Sequence, residues 1–404
     1  MSPSRYSMAS QTKVALESWT SRFHAGLVTL LLLSVGHFVV DLYAGSLGVL
    51  QPFFVDKFRL SLTQAGVLGG VLVFSSSVTQ PLYGYLSDRF RSRLFCSLGP
   101  AVTGLFILGA LRAPSFAWAV AMMVAGGVGV SAFHPQASSW ASAGMATSKG
   151  RWMAVFISAG TLGVALAPAF FKEWIERLGF ESVVWAALPG VALSVATLAL
   201  VQPPAQAGAR TKSFDWPALR AVRRPLIILY VCVFFRSAVQ VTYSQFLVLY
   251  LSRERGYSLH EAAYTLSLYL TAGAVGGFIG GHLSDRFGAK RVIMHSFLWS
   301  VPLMAMFYLT PAGFGVAALV LGGLVLLFTI PVNVIVAQDL VPSQAATVSA
   351  LLMGFAWGTS GMIFVPLTGW VADRLSLHVA LSGLLVFPAL GFFLARMLPE
   401  ELGR

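Results

Sequence analysis

Along this chain, long stretches without a charge alternate with short charged strings. Twelve of the apolar runs approach or exceed the length of about 20 residues that a helix needs to cross a bilayer core. They cover about residues 25–50, 64–86, 94–111, 115–135, 152–171 and 183–201, then 225–250, 262–283, 291–310, 313–336, 346–371 and 378–397. One connection, QPPAQAGARTKSFDWPALRAVRR at 202–224, is far longer than the rest and divides the runs six and six. The expected fold is an all-α polytopic membrane protein with 12 transmembrane helices. Its expected parts are a tail at 1–24, six-helix bundles at 25–201 and 225–397, a linker at 202–224 and a tail at 398–404. Residues 1–24 are polar, and the run behind them is too long for a cleaved signal, so it is expected to stay as the first span.

The charged strings repeat. GYLSDRFRSR at 84–93 and GHLSDRFGAKR at 281–291 share G-x-L-S-D-R-F, which sets Asp88 and Asp285 197 residues apart. Gly160, Gly163 and Pro168 of the fifth run recur 198 residues later as Gly358, Gly361 and Pro366 of the eleventh. Gly126-Gly127 and Gly322-Gly323 repeat at an offset of 196. Matches that keep register argue for two pseudo-symmetric halves, and in a membrane such halves enclose a pathway between them.

Composition narrows the class. The chain is 57% hydrophobic and 10% charged, with mean hydropathy +0.77, against about 25% charged residues in soluble domains. The net charge of +12 does not form a basic face, because the cations sit in gaps between apolar runs, so no nucleic-acid partner is expected. If the N-terminus is cytoplasmic, 18 of the 27 Lys and Arg fall in inside segments, 8 in outside segments, and Arg236 lies within a helix. That bias places both termini in the cytoplasm. Cys96 and Cys232 read as small packing residues, and no metal site or cofactor is expected. The expected partners are a small-molecule substrate, protons and the lipid bilayer, around a monomer.

Twelve helices in two halves, with G-x-L-x-D-R-x-G-x-[KR]-[KR] after the eighth, resemble the major facilitator superfamily. Gly281, Leu283, Asp285, Arg286, Gly288, Lys290 and Arg291 fit that pattern fully. In the first copy Gly84, Asp88 and Arg89 fit, while Arg91 stands where the family prefers glycine. Within the superfamily the chain is most similar to the fosmidomycin-resistance group of bacterial efflux carriers, over most of residues 30–400. That similarity rests on GHFVVD (36–41), FHP (133–135), FFRSAVQ (234–240), AQDLVPSQ (337–344) and GFAWGTSG (354–361). It implies a multi-pass carrier of the bacterial inner membrane, with the two charged strings as a conformational gate that latches the outward-facing state. A glutamate commonly follows FHP in the group; here Gln136 removes that titratable group.

The residues themselves suggest the chemistry. Asp41 lies about 16 Å along a helix from Pro52, too deep for an aspartate to reach water, and a buried charge costs at least about 2.5–3.5 kcal/mol. His37 is one turn earlier on the same face, with Gly45 and Gly48, as on a cavity wall. Asp41 and His37 are expected to couple protons, and the resemblance of FHP to the family string implies the same for His134; His282 and His295 are expected to be structural. Arg236 lies equally deep, and Gln240, Tyr243 and Ser244 continue its face. A guanidinium there could neutralise Asp41 or bind a carboxylate or phosphonate. Arg236, Gln240, Tyr243, Gln80, Tyr83 and Trp357 form the expected substrate set. Gly281 and Gly288 permit tight helix ends, and Asp285 could cap a neighbouring helix or pair with Arg286, Lys290 or Arg291. Gly160, Gly163, Pro168, Gly358, Gly361 and Pro366 are expected at helix crossings.

These readings predict a secondary active transporter, a proton-coupled exporter (antiporter) of a small organic molecule or drug working by alternating access. The alternative keeps the fold and imports an organic anion or metabolite by proton symport or uniport. An intramembrane enzyme is a remote third reading, since no HExxH or GxSxG string is present and no catalytic residue is expected.

Overall fold

A computed structural model describes residues 4–90, 92–141, 149–202 and 216–400. Its spanning helices are α1 (Ala25–Phe58), α2 (Leu62–Ser87), α3 (Leu94–Arg112), α4 (Phe116–Ala141), α5 (Trp152–Leu178) and α6 (Phe180–Leu200) in one half. The other half holds α7 (Arg223–Glu254), α8 (Leu259–Phe287), α9 (Ala289–Leu309), α10 (Gly313–Leu340), α11 (Thr347–Arg374) and α12 (Leu377–Ala395). Each coincides with one of the apolar runs. Of the expected linker, residues 203–215 lie outside the described residues, and Trp216–Ala221 forms a short helix.

The ends differ from expectation for identifiable reasons. The helix that opens α1 begins at Ser4, because no Gly or Pro between 4 and 24 interrupts it. At the other end α1 passes through Pro52 to Phe58 after a turn at Ser46, whose hydroxyl donates to the Tyr43 carbonyl at 2.7 Å. The apolar helix therefore extends beyond Pro52, and Asp41 sits at the middle of Ala25–Phe58. The Ala350–Phe355 segment of α11 is a π-helix turn. At Gly288 the chain needs φ +87° to pass from α8 into α9, which explains the glycine of the second charged string.

Glycines set the helix crossings, as small residues do in bilayers, where apolar burial gives helices no reason to associate. A Cβ at Gly163 would collide with the Phe38 carbonyl of α1, and one at Gly160 with the His37 ring. In α11, the counterparts Gly361 and Gly358 pack on Val73 and on Ser77 and Val78 of α2. The duplicated glycines thus seal a half internally in α5 and join the two halves in α11. Gly66 and Gly70 of α2 seat Pro366, so the α2–α11 seam runs from one membrane face to mid-depth.

The same face, which carries the connections at 59–61 and 255–258, joins the halves by polar bonds. Arg253 pairs with Asp56 at 2.6 Å, and the Ala169 amide donates to Ser267 at 3.1 Å. Lys172 of α5, 1% exposed, meets Glu173, Glu176 and His260 of α8. Gly84 and Gly281, at the opposite face, have their nearest neighbours inside their own halves, Pro135 and Pro331 at 3.6 and 3.9 Å.

Gly163→Val should cost roughly 1–3 kcal/mol by overpacking against backbone. It should lower the thermal midpoint in detergent, read by size-exclusion recovery after heating. Gly383→Ala, whose Cβ would meet nothing within 4 Å, should leave the midpoint unchanged.

Candidate functional site

Asp41 and His37 share a face of α1 because they stand four residues apart, and α4 brings His134 to the same carboxylate. The His37 Nε2 lies 3.3 Å from one Asp41 oxygen, and the His134 Nε2 lies 3.2 Å from the other. Each ring is held from behind. The Nδ1 of His37 lies 2.8 Å from the Phe156 carbonyl oxygen, and that of His134 lies 2.8 Å from the Val130 carbonyl oxygen. His37 also stacks on Phe156 at 4.3 Å between centroids, and its ring stands edge-on to His134 at 4.9 Å. The lack of a side chain at Gly160 leaves the room that this ring occupies. The three residues expected to couple protons thus lie together, and the backbone carbonyls that face both rings are the part the sequence did not show.

Arg236 stands mid-span in α7 and is 2% exposed. It donates to Gln240 Oε1 at 2.6 Å and to Ser237 at 3.2 Å, and its guanidinium lies 5.6 Å from the Trp357 ring. Among the described residues its Nε has no partner, and no carboxylate forms an ion pair with it. The expected pairing of Asp41 with Arg236 is therefore not made in this conformation. Both carboxylate oxygens are taken by imidazoles of the same half, and the guanidinium spends its donors on its own helix.

Other expected residues fall elsewhere. Tyr243 is buried inside the second half, its hydroxyl 2.6 Å from that of Tyr308 and its ring stacked 5.9 Å from Tyr269, so it does not sit with Gln240 on an open wall. Helical phase set its direction correctly, but the neighbours in that direction are α8 and α9. Gln80 bonds back to the Ser76 carbonyl at 2.9 Å, and Tyr83 packs edge-on to Phe95 at 5.5 Å.

The two charged strings lie at the opposite face. Asp285 and Arg286 are exposed and form no ion pair among the described residues; Lys290 instead meets Glu400 at 2.8 Å. Arg89 donates to Tyr85 at 3.1 Å. The side chain of Asp88 lies outside the described residues, as does Arg91. Gln136, 1% exposed, takes a structural place: it donates to Ser87 at 2.8 Å and to the Ser92 carbonyl at 2.6 Å, and accepts from the Cys96 amide at 2.8 Å.

Among the described residues, two groups have the donor spacing a cation would accept: His37–Asp41–His134, and Glu173–Glu176–His260. In the second, the Lys172 ammonium bonds to all three, so a cation is already supplied by the chain. That cluster was absent from the expectations, although KEWIER at the end of an apolar run was its signal.

The Major Facilitator Superfamily profile matches residues 33–366 and 229–402. An MFS-type transporter of Bacillus subtilis, YfnC, is 29% identical over 92% of this chain and 93% of its own length. The fosmidomycin resistance protein of Escherichia coli is 27% identical over 91% and 92%. A bacterial homologue of the human lysosomal transporter Spinster, solved inward-facing and occupied, superposes with TM-score 0.77 at 16% identity, over 91% of this chain and 96% of its own. With twelve spans in two duplicated halves and a family match over most of its length, the chain belongs to the Major Facilitator Superfamily and is a multi-pass membrane transporter.

Proposed function

We propose that the chain is a proton-coupled exporter of a small organic anion, with His37–Asp41–His134 as its proton site and Arg236 as its anion site. The observation that carries this reading is the carboxylate, only 15% exposed, held between two imidazoles at mid-span. A carbonyl oxygen only accepts, so each Nδ1 facing one keeps its hydrogen. Each Nε2 then meets an Asp41 oxygen either across a proton or as lone pair against lone pair. A cluster of this kind is most stable when protons fill both contacts, and losing the one at His134 loosens α4 from α1. Proton content thereby sets how two helices of one half fit together.

Arg236 supports the substrate class. A buried guanidinium without a carboxylate partner leaves its charge uncompensated, and an anion would supply the missing partner beside Gln240 and the Trp357 ring. With both termini cytoplasmic, as the loop charges favour, the sealed face is outside, and this conformation is open inward. One proton crossing 100 mV yields about 2.3 kcal/mol, enough for an almost fiftyfold gradient. Export is favoured over import by the relative named for resistance. In a bacterium the carrier would sit in the inner membrane, and family and fold point to transport rather than catalysis.

The test is resistance to a panel of anionic antibiotics, fosmidomycin included, in cells lacking their efflux pumps. Expression should raise resistance to at least one of them. A rise in sensitivity would instead reverse the direction to import. Asp41→Asn should cut pH-driven transport by at least about tenfold, the scale of one lost charge-assisted bond, while counterflow exchange persists. Intact pH-driven transport in that variant would remove the proton site from Asp41. Arg236→Ala should raise the KM for the anion about tenfold or more and leave uptake of protons by the carrier measurable, whereas an unchanged KM refutes the anion assignment.

A further inference from the structure

The charged string occurs a third time. GWVADRL at 369–375, at the end of α11, repeats the glycine, Asp-Arg pair and following apolar residue of GYLSDRF and GHLSDRF. Its offset from the other copies does not match the duplication. It also lies at the opposite membrane face: Asp88 and Asp285 end α2 and α8, whereas Asp373 meets the beginning of α2.

At that beginning every backbone donor has a partner. Ser61 and Gln64 form a reciprocal cap, the Ser61 amide donating to Gln64 at 3.0 Å and the Gln64 amide to Ser61 at 3.2 Å. The two amides left over, Leu62 and Thr63, donate to Asp373 of the other half at 2.7 and 2.9 Å. The Thr63 hydroxyl adds a third bond to the same carboxylate at 2.6 Å. Gly369 lets α11 approach closely, since a Cβ there would collide with the Leu62 carbonyl. Arg374 turns away to lie over Trp370, 3.9 Å from its ring, and leaves the carboxylate to the helix end.

We propose that GWVADRL is a second latch, built from the same string as the inner gate but placed at the other face, and that Asp373 holds that face closed by capping α2. The carboxylate faces the positive end of the α2 dipole and three donors at once, so the bonds form or break together when the halves separate. In the conformation described, this copy is engaged while Asp285 is exposed without an ion pair among the described residues. The two faces are therefore held alternately by one device. Asp373 is a positioning residue and touches no substrate. This inference needs only the two-bundle fold, and stands apart from the choice of substrate or coupling ion.

The test uses the full chain in proteoliposomes with Ser267→Cys, a position 7% exposed at the closed α5–α8 contact. Labelling by a membrane-impermeant maleimide, corrected for the chain without that cysteine, reports opening of the face. Asp373→Ala should raise the labelling rate about tenfold, within the range expected for losing a helix cap. Thr63→Val, which removes one of the three bonds, should raise it about two- to threefold, and should add less when Asp373 is already alanine. Thr63→Val also serves if Asp373→Ala does not fold. Unchanged labelling in whichever of these variants folds overturns the latch.

Discussion

A bilayer core contains no water to accept a hydrogen bond, so each backbone amide and carbonyl must find its partner within the chain. That constraint forces twelve helices on this sequence and leaves polar chemistry only where helix ends, kinks or buried side chains supply partners for one another. The polar contacts described above follow from it. Two backbone carbonyls orient the imidazoles around Asp41, and Asp373 completes the cap of α2. Glu254 does the same for α12, accepting from the Leu377 and His378 amides at 2.6 and 2.8 Å.

Much of this was legible beforehand because charge is so expensive in lipid. Runs without charge had nowhere else to go, and the spans follow them closely. Ends were less legible: Pro52 looked like a boundary, yet α1 continues through it to Phe58. His37 and Asp41 could be paired by helical spacing, which is a property of one helix. His134 came only through its resemblance to a family string, because no periodicity connects α4 with α1. Whether Asp41 meets His37 or Arg236 was left open at the same step. A sequence shows which cations are deep, and only packing shows which of them the carboxylate meets. Tyr243 illustrates the limit again, since its phase was right and its neighbours were unknowable.

The duplicated halves have diverged in use more than in form. Gly160 and Gly163 hold α5 against α1 within one half, while Gly358 and Gly361 carry α11 across to α2 of the other half. The His37–Asp41–His134 cluster occupies one half, and the Arg236 guanidinium, without an ion pair among the described residues, the other. An internally sealed half and a half that carries the seam have different mechanical tasks, even though both descend from one pattern of glycines and prolines.

Gln136 has a mechanical meaning of its own. Its amide ties α4 to the last turn of α2 and the first turn of α3, donating twice and accepting once. A carboxylate could not donate both bonds, and it would change its bonding with acidity; an amide does neither. The end of α2 and the start of α3 are therefore tied to α4, and that attachment is indifferent to the acidity of the solution that bathes it.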